Sequence, residues 1–287
     1  MNYKHQKTKT LTIKNNGRSS DFVTPNFILG CEGGCQYCYV ERWNRPSIYF
    51  NSNFDQILQS IKTHSESLSQ KQPNQVDPKY WTYDIGCSTD VTLYWNKYPF
   101  DKILKYFRDN GIKSTFATKY VNKKMLREAQ ANEQNRIRFS LSHERVRMGL
   151  EPKTTSIPLR IDAVNYAVEH GWDTHLNFSP IVYFSGWLDL YRELFIDLDR
   201  NVINKKNVKC ECIFLTHHKG LHERNILDPQ KAKFESVLWN ESIQQNKVSN
   251  YGGENVRYKY ILKNEMIEEF KFLHQELIPW CEIRYIF

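Results

Sequence analysis

The chain has 287 residues, with 40 Lys and Arg against 32 Asp and Glu, a formal net charge of +8. Hydrophobic residues make up 40% and charged residues 25%, which fits a folded globular chain and excludes a disordered one. No apolar run reaches the ~18 residues of a membrane span, and the basic start, Met1 to Asn16, lacks the apolar core of a secretory signal.

Residues 1–21 read as a polar, Lys-rich arm or a short edge strand. Phe22 to Leu29 predicts a first strand that runs into Gly30-Cys31. Asn53 to Gln70 has helical spacing in Phe54, Ile57, Leu58, Ile61 and Leu68. Lys79 to Gly86 predicts a second strand, and Pro99 to Asn110 an amphipathic helix closed by Gly111. Lys113 to Thr118, Arg136 to Ser142, Trp172 to Ile181 and Val208 to Leu215 predict further strands. Between them Asn122 to Ala131, Ile157 to Glu169 and Trp187 to Leu198 predict helices.

Strands alternating with helices imply right-handed crossovers and a mostly parallel sheet. About six strand–helix units fit before residue 216, too few for an eight-fold barrel. The expected fold is therefore α/β, an open partial (β/α)6 barrel over residues 22–216. Chemistry in such folds sits at the C-terminal strand ends. Residues 217–287 are expected to form an extension packed on the barrel. It comprises a hairpin across Trp239 to Tyr260 around Tyr251-Gly252-Gly253, a helix over Glu265 to Ile278 and a strand over Cys281 to Phe287.

Three of the 7 cysteines fall within Cys31-Glu32-Gly33-Gly34-Cys35-Gln36-Tyr37-Cys38, a C-x3-C-x2-C loop directly after a predicted strand. Such crowding points to a metal site in a reducing compartment, the cytoplasm. Thiolate sulfur suits zinc or an iron–sulfur cluster. Gly33 and Gly34 are expected to take the positive φ values of so tight a loop. Three thiolates leave one iron of a [4Fe–4S] cube open, the logic of a site built for chemistry. A structural zinc is the alternative. It needs a second ligand pair, and the one-residue spacing of Cys210 and Cys212 fits strand alternation better. His217, His218 and His222 are another possible source of ligands, and no role is assigned to them.

In the predicted hairpin, Lys247, Arg257, Lys259 and Lys263 bracket Tyr251, Tyr258 and Tyr260. Basic groups that hold phosphate beside rings that stack on an extruded base are what access to a duplex lesion requires.

The cysteine spacing is that of the radical S-adenosylmethionine (SAM) enzymes. Cys31 to Val40 followed by Gly86-Cys87-Ser88-Thr89-Asp90 resembles the spore photoproduct lyase family. So do Thr118-Lys119-Tyr120, Arg138-Phe139-Ser140, Glu151-Pro152 with Arg160-Ile161, and Ser179-Pro180-Ile181, in that order, from about residue 22 onward. The resemblance implies a [4Fe–4S] cluster on Cys31, Cys35 and Cys38, with SAM at the open iron. SAM would be split to methionine and a 5′-deoxyadenosyl radical. The radical would take a hydrogen from C6 of a thymine dimer lesion in DNA, the methylene bridge would fragment, and Cys87 would return a hydrogen. Tyr37 and Tyr39 match the tyrosines that relay hydrogen between that thiol and SAM or its product.

Tyr37, Thr89, Lys119, Ser140 and Ser179 fall on positions that contact SAM. Thr89 stands where the family pattern has Ser, and Ser179 where it has a small apolar residue. The hairpin residues Lys247, Tyr251, Arg257, Tyr258 and Lys259 are the counterparts of a DNA-binding hairpin. The expected reductant is a small electron-transfer protein such as a flavodoxin or ferredoxin, and no membrane partner is expected. Only 30 residues precede Cys31, so the family's N-terminal segment is expected to be shortened or missing. Two alternatives stay open: a radical SAM enzyme acting on another modified nucleotide, RNA or peptide, and a non-catalytic metal-bearing nucleic-acid-binding protein.

Overall fold

A computed structural model of the chain describes residues 2–43, 45–248 and 253–287. The order is β1 (Asn2–Gln6), β2 (Lys14–Asn15), β3 (Phe22–Val23), β4 (Ile28–Leu29), β5 (Ser47–Asn51), α1 (Phe54–Glu66), β6 (Thr82–Asp84) and α2 (Phe100–Asp109). Then come β7 (Lys113–Thr118), α3 (Lys123–Glu128), β8 (Asn135–Ser140), α4 (Glu144–Leu150), α5 (Ile157–Glu169), β9 (Asp173–Ile181), α6 (Trp187–Asn201) and β10 (Lys209–Phe214). The chain continues with β11 (Thr216–His218), α7 (Lys219–Asn225), α8 (Pro229–Leu238), β12 (Gln244–Val248), β13 (Glu254–Tyr258), α9 (Tyr260–Leu277) and β14 (Glu282–Ile286).

Eight strands form the main sheet in the order β14-β10-β9-β8-β7-β6-β3-β2. Every neighbouring pair is parallel except β2 with β3. The sheet curls far enough for its two margins to touch: the hydroxyls of Ser19, beside β3, and Tyr285, on β14, lie 2.7 Å apart. This is the expected half-barrel, and β14 extends it beyond residue 216.

The predicted first strand is not continuous. Pro25 has no N–H to give a ladder, and the chain breaks there into β3 and β4. The second piece joins β5 and β1 in a separate small sheet. Strands β11, β13 and β12 form a third sheet, antiparallel throughout. The predicted turn at Tyr251-Gly252 lies outside the described residues.

Alternation along β8 separates two environments. Ile137 and Phe139 are fully buried with Phe116, Leu176 and Phe178 in the apolar core. Arg136 and Arg138 point into the curl. Arg138 donates to Asp84 at 2.6 Å, to Glu211 at 2.6 Å and to Thr115 at 3.0 Å, so it ties β6, β7 and β10 to β8. Arg136 donates to Asp173 at 2.7 Å and to Asp77 at 2.8 Å, and Lys113 joins both acids.

These acids make stability pH-dependent. Burial alone raises a carboxyl pKa, yet Arg138 and Arg284 hold Glu211 below its ordinary value. Against the same effect of burial, His175 and Arg136 hold Asp173 well below, and Lys113 holds Asp77 below. A depressed carboxyl pKa stabilises the fold above the unfolded value, about 4. That contribution is lost as pH falls through the folded values. The melting temperature is therefore expected to stay level near neutrality and to fall below about pH 4. Thermal melts across pH 2–7 check this.

Candidate active site

The cysteine loop leaves β4 through Gly30, whose φ of +103° is one that L side chains rarely adopt. Gly34 takes +60° as expected, but Gly33 does not have a positive φ. Gly33 is needed for space instead: a Cβ there would lie 3.2 Å from the Tyr120 hydroxyl, 3.4 Å from Cys31 Sγ and 3.7 Å from Cys35 Sγ. The loop is also tied to the strand ends. Thr89 Oγ1 donates to the Gly30 carbonyl at 2.8 Å, and Gly30 N donates to the Ser88 carbonyl at 3.1 Å.

The loop opens on a cavity of about 350 Å³ at the C-terminal ends of the parallel strands. Cys31, Cys35, Cys38, Tyr37, Tyr39, Cys87, Thr89, Lys119, Ser140, Asn177 and Ser179 all line it. Each barrel strand delivers its part: Cys87 lies just past β6, Lys119 just past β7, Ser140 ends β8, and Asn177 and Ser179 sit on β9.

Around Lys119 a buried network fixes the floor. Its Nζ donates to the Ser179 carbonyl at 3.2 Å and lies 3.5 Å from Glu151. Arg160, fully buried, pairs with Glu151 at 3.0 Å and donates to the Ser140 carbonyl at 2.7 Å. Burial pushes the Glu151 carboxyl up, but Lys119 and Arg160 hold it below the usual range. The Tyr37 hydroxyl donates to Glu151. Asp90 accepts from the Lys119 backbone N–H and the Thr118 hydroxyl, both at 2.8 Å. Sequence reasoning quoted Glu151, Arg160 and Asp90 only as parts of short blocks. Their packing together is tertiary and carries no local signal.

Cys87 and Tyr39 meet across the cavity. The Tyr39 hydroxyl is 3.4 Å from Cys87 Sγ and also donates to the Cys87 carbonyl. Burial, then the nearby Asp84 carboxylate, pushes the Cys87 thiol pKa up.

Two observations test whether these residues suit a cluster and SAM. Three soft donors on one tight loop open into a shared cavity, beside a glycine whose Cβ would touch two of the sulfurs and press on the Tyr120 hydroxyl. Asn177 Oδ1 is buried in the cavity wall with no partner, while its Nδ2 donates to Ser140 Oγ at 3.2 Å. A buried acceptor left bare asks for a donor from a ligand. The residues fit.

The predicted nucleic-acid residues separate into groups. Strand β11 follows β10 directly, so the third sheet stands at the cavity mouth; Phe214, Leu215 and Thr216 line both the cavity and a small pocket with Lys247, Arg257, Lys263 and Phe287. Arg18 Cζ, Lys263 Nζ and Lys247 Nζ stand 3.5, 4.4 and 5.0 Å from the centre of the Phe287 ring. Burial, then Arg18 and Arg257, pushes the Lys247 pKa down; burial, then Arg257 and Lys247, does the same to Lys263.

Lys259 precedes α9 and spends its Nζ on the Ser242 carbonyl at 2.7 Å. Tyr258 needs correcting: it is 1% exposed, and its hydroxyl accepts from Tyr183 N–H at 2.7 Å, so its ring cannot stack on a base. Its place on the inward face of a two-sided strand is the cause. Tyr251 lies outside the described residues.

Comparisons with known proteins agree with this geometry. The sequence model for spore photoproduct lyase matches residues 6–287. The spore photoproduct lyase of Bacillus subtilis (strain 168) is 27% identical over 283 residues, covering 96% of this chain and 79% of that protein. The solved structure of a spore photoproduct lyase complexed with dinucleoside spore photoproduct superposes with a TM-score of 0.85 at 20% identity, over 99% of this chain and 82% of that one. A mutant form with bound AdoMet and the same dinucleoside gives 0.84 at 20% identity, with the same coverage.

Proposed function

This chain belongs to the spore photoproduct lyase family, and from that premise we propose that it is a radical SAM lyase that reverts a thymine dimer lesion of spore photoproduct type in DNA. The observation that carries the reading is the pairing, in one cavity, of three loop thiols with a fourth, separate thiol at a tyrosine hydroxyl. An enzyme that consumes SAM as an oxidant has no use for that fourth thiol.

Cys31, Cys35 and Cys38 would hold a [4Fe–4S] cluster, which with SAM beside it would supply the one-electron radical chemistry that takes hydrogen from C6 of the lesion. The rest of the work is the protein's. Lys119 presents a positive charge for a ligand carboxylate, held in place by Ser179 and Glu151. Asn177 offers a bare carbonyl to a ligand N–H, and Ser140 orients it. Thr89 donates its hydroxyl hydrogen bond to the Gly30 carbonyl, so it positions that loop and offers a ligand only its lone pairs.

Cys87 stays an S–H at neutral pH because burial disfavours the thiolate, and S–H is the form that can give a hydrogen atom. Tyr39 is in contact with that sulfur and can hand a hydrogen back to it. Tyr37 spends its hydroxyl on Glu151, which places it nearer the Lys119 end of the cavity.

Lys247 and Arg257, half-buried and crowded by like charge, form the phosphate-facing part of the DNA surface. Each phosphate contact contributes about −0.9 to the slope of log affinity against log salt. The Lys247→Ala, Arg257→Ala double variant is therefore expected to flatten that slope by roughly 2 on lesion-free duplex, read by fluorescence anisotropy.

Among the described residues no helix is long and apolar enough to cross a membrane. None of the seven cysteines is paired in a disulfide, and the open iron chemistry calls for a one-electron reductant, for which a small electron-transfer protein such as a flavodoxin or ferredoxin remains the proposal. The test is anaerobic reconstitution with iron and sulfide, followed by reductant, SAM and a dinucleotide spore photoproduct, with products separated by chromatography and identified by mass. Restored thymine is the expected result. Deoxyadenosine without thymine would overturn the substrate while keeping the radical chemistry.

A further inference from the structure

Behind the cysteine loop lies a buried carboxylate that the catalytic reading does not use. Glu235, on α8, is 2% exposed, and its two oxygens accept from four N–H donors. Oε1 faces His217 Nε2 at 2.5 Å and His222 Nδ1 at 3.0 Å. Oε2 accepts from Asn225 Nδ2 at 2.9 Å and from Gln36 Nε2 at 3.1 Å. A carboxylate has about four lone-pair sites, so this one is saturated. His217 and His222 with Glu235 also make a metal-type donor set, but the four N–H bonds already satisfy the charge without an ion.

The four donors come from three places. Gln36 sits between Cys35 and Cys38 in the cysteine loop. His217 is on β11, where it pairs with Val256 of β13, next to the pairing of Thr216 with Arg257. His222 and Asn225 are on α7. Gln36 is held on every side: its N–H donates to the Leu150 carbonyl at 2.9 Å, its carbonyl accepts from Asn225 Nδ2 at 2.9 Å, and its amide also donates to the Lys231 carbonyl at 2.7 Å. The strand beside the basic hairpin and the loop carrying the cysteines thus meet at one carboxylate.

We propose that Glu235 is a positioning residue of the lyase: through Gln36 and His217 it fixes the cysteine loop against the hairpin sheet, setting where the radical is generated relative to where DNA is held. This rests on the cluster reading of Cys31, Cys35 and Cys38. Glu235→Gln turns an NH₂ group toward two of the four donors, and Gln36→Met removes one donor and leaves three.

The first measurement uses the protein without its cluster. Both variants are expected to raise the rate at which maleimide labels Cys35 and Cys38 by roughly tenfold, through local opening of the loop. Labelling of Cys210, fully buried elsewhere, should not change. In reconstituted enzyme both should release several-fold more deoxyadenosine per thymine restored, and the reduced cluster with SAM should give a broadened electron paramagnetic resonance signal. If both variants label and partition as the native protein does, whatever their melting temperatures, Glu235 merely packs α7 and α8 and the proposal fails. Should Glu235→Gln not fold, Gln36→Met decides alone. Failure of the native protein to hold iron would instead overturn the cluster reading, and the labelling arm would still decide whether Glu235 fixes the loop.

Discussion

Cys87→Ala is expected to keep its iron and to cleave SAM, yet to restore thymine with a yield lower by at least roughly tenfold, about 1.4 kcal/mol in the barrier for clean hydrogen return. The reason is local. Cys87 Sγ is the thiol within 3.4 Å of the Tyr39 hydroxyl, and it lines the cavity from the side of β6, while the loop thiols line it from β4. Without an S–H to quench it, the substrate radical leaves as other products. Mass analysis of the product mixture checks this. Native thymine yield from the variant would remove Cys87 from the hydrogen path. Tyr39→Phe should act in the same direction but less severely, because the thiol itself remains.

Cys35→Ala is expected to lose the cluster and with it all thymine restoration. Cys35 is the most enclosed of the loop thiols, 7% exposed, and burial first and then Glu151 push its thiol pKa well above the ordinary value. A thiolate is not stable in that setting unless an iron ion neutralises it. Two loop cysteines remain in the variant, too few to hold three irons of a cube. Iron and sulfide analysis after reconstitution reads the result. The cluster-free variant should melt within about 1 kcal/mol of the cluster-free native protein, since removing one sulfur from a loop opens only a small space. An iron-loaded, active variant would contradict the ligand assignment.

Local patterns foretold local structure well. Helix α5 runs over Ile157–Glu169, the span its apolar spacing predicts, and along β8 Ile137 and Phe139 on the core face alternate with Arg136 and Arg138 inside the curl. The cysteine loop was legible because its three thiols lie within eight residues. What escaped depends on contacts between distant segments. β14 joins the main sheet beside β10, a choice made by packing and not by anything within Cys281 to Phe287.

Helices α7 and α8 were missed, although Asp228-Pro229 marks the start of α8: Asp228 caps it by accepting from Gln230 N–H at 2.9 Å, and Pro229 opens its first turn. That omission hid Glu235, and with it the explanation of the histidine cluster: His217 and His222 are partners of a buried carboxylate. Tyr258 was misread for the converse reason. A tyrosine in a basic strand looks like a stacking ring until its inward face is known. The meeting of Cys87 with Tyr39, and of Glu151 with Lys119 and Arg160, needed the closed half-barrel to be seen.

The most direct test of the central claim, that this cavity restores thymine by returning hydrogen from Cys87, is a turnover in D₂O. Thiol protons exchange with solvent, so reduced enzyme with SAM and spore photoproduct should release thymine carrying deuterium in its methyl group. The Cys87→Ala variant should not deliver it there. Thymine bearing only protium, or no thymine from fully reconstituted enzyme, would contradict the account.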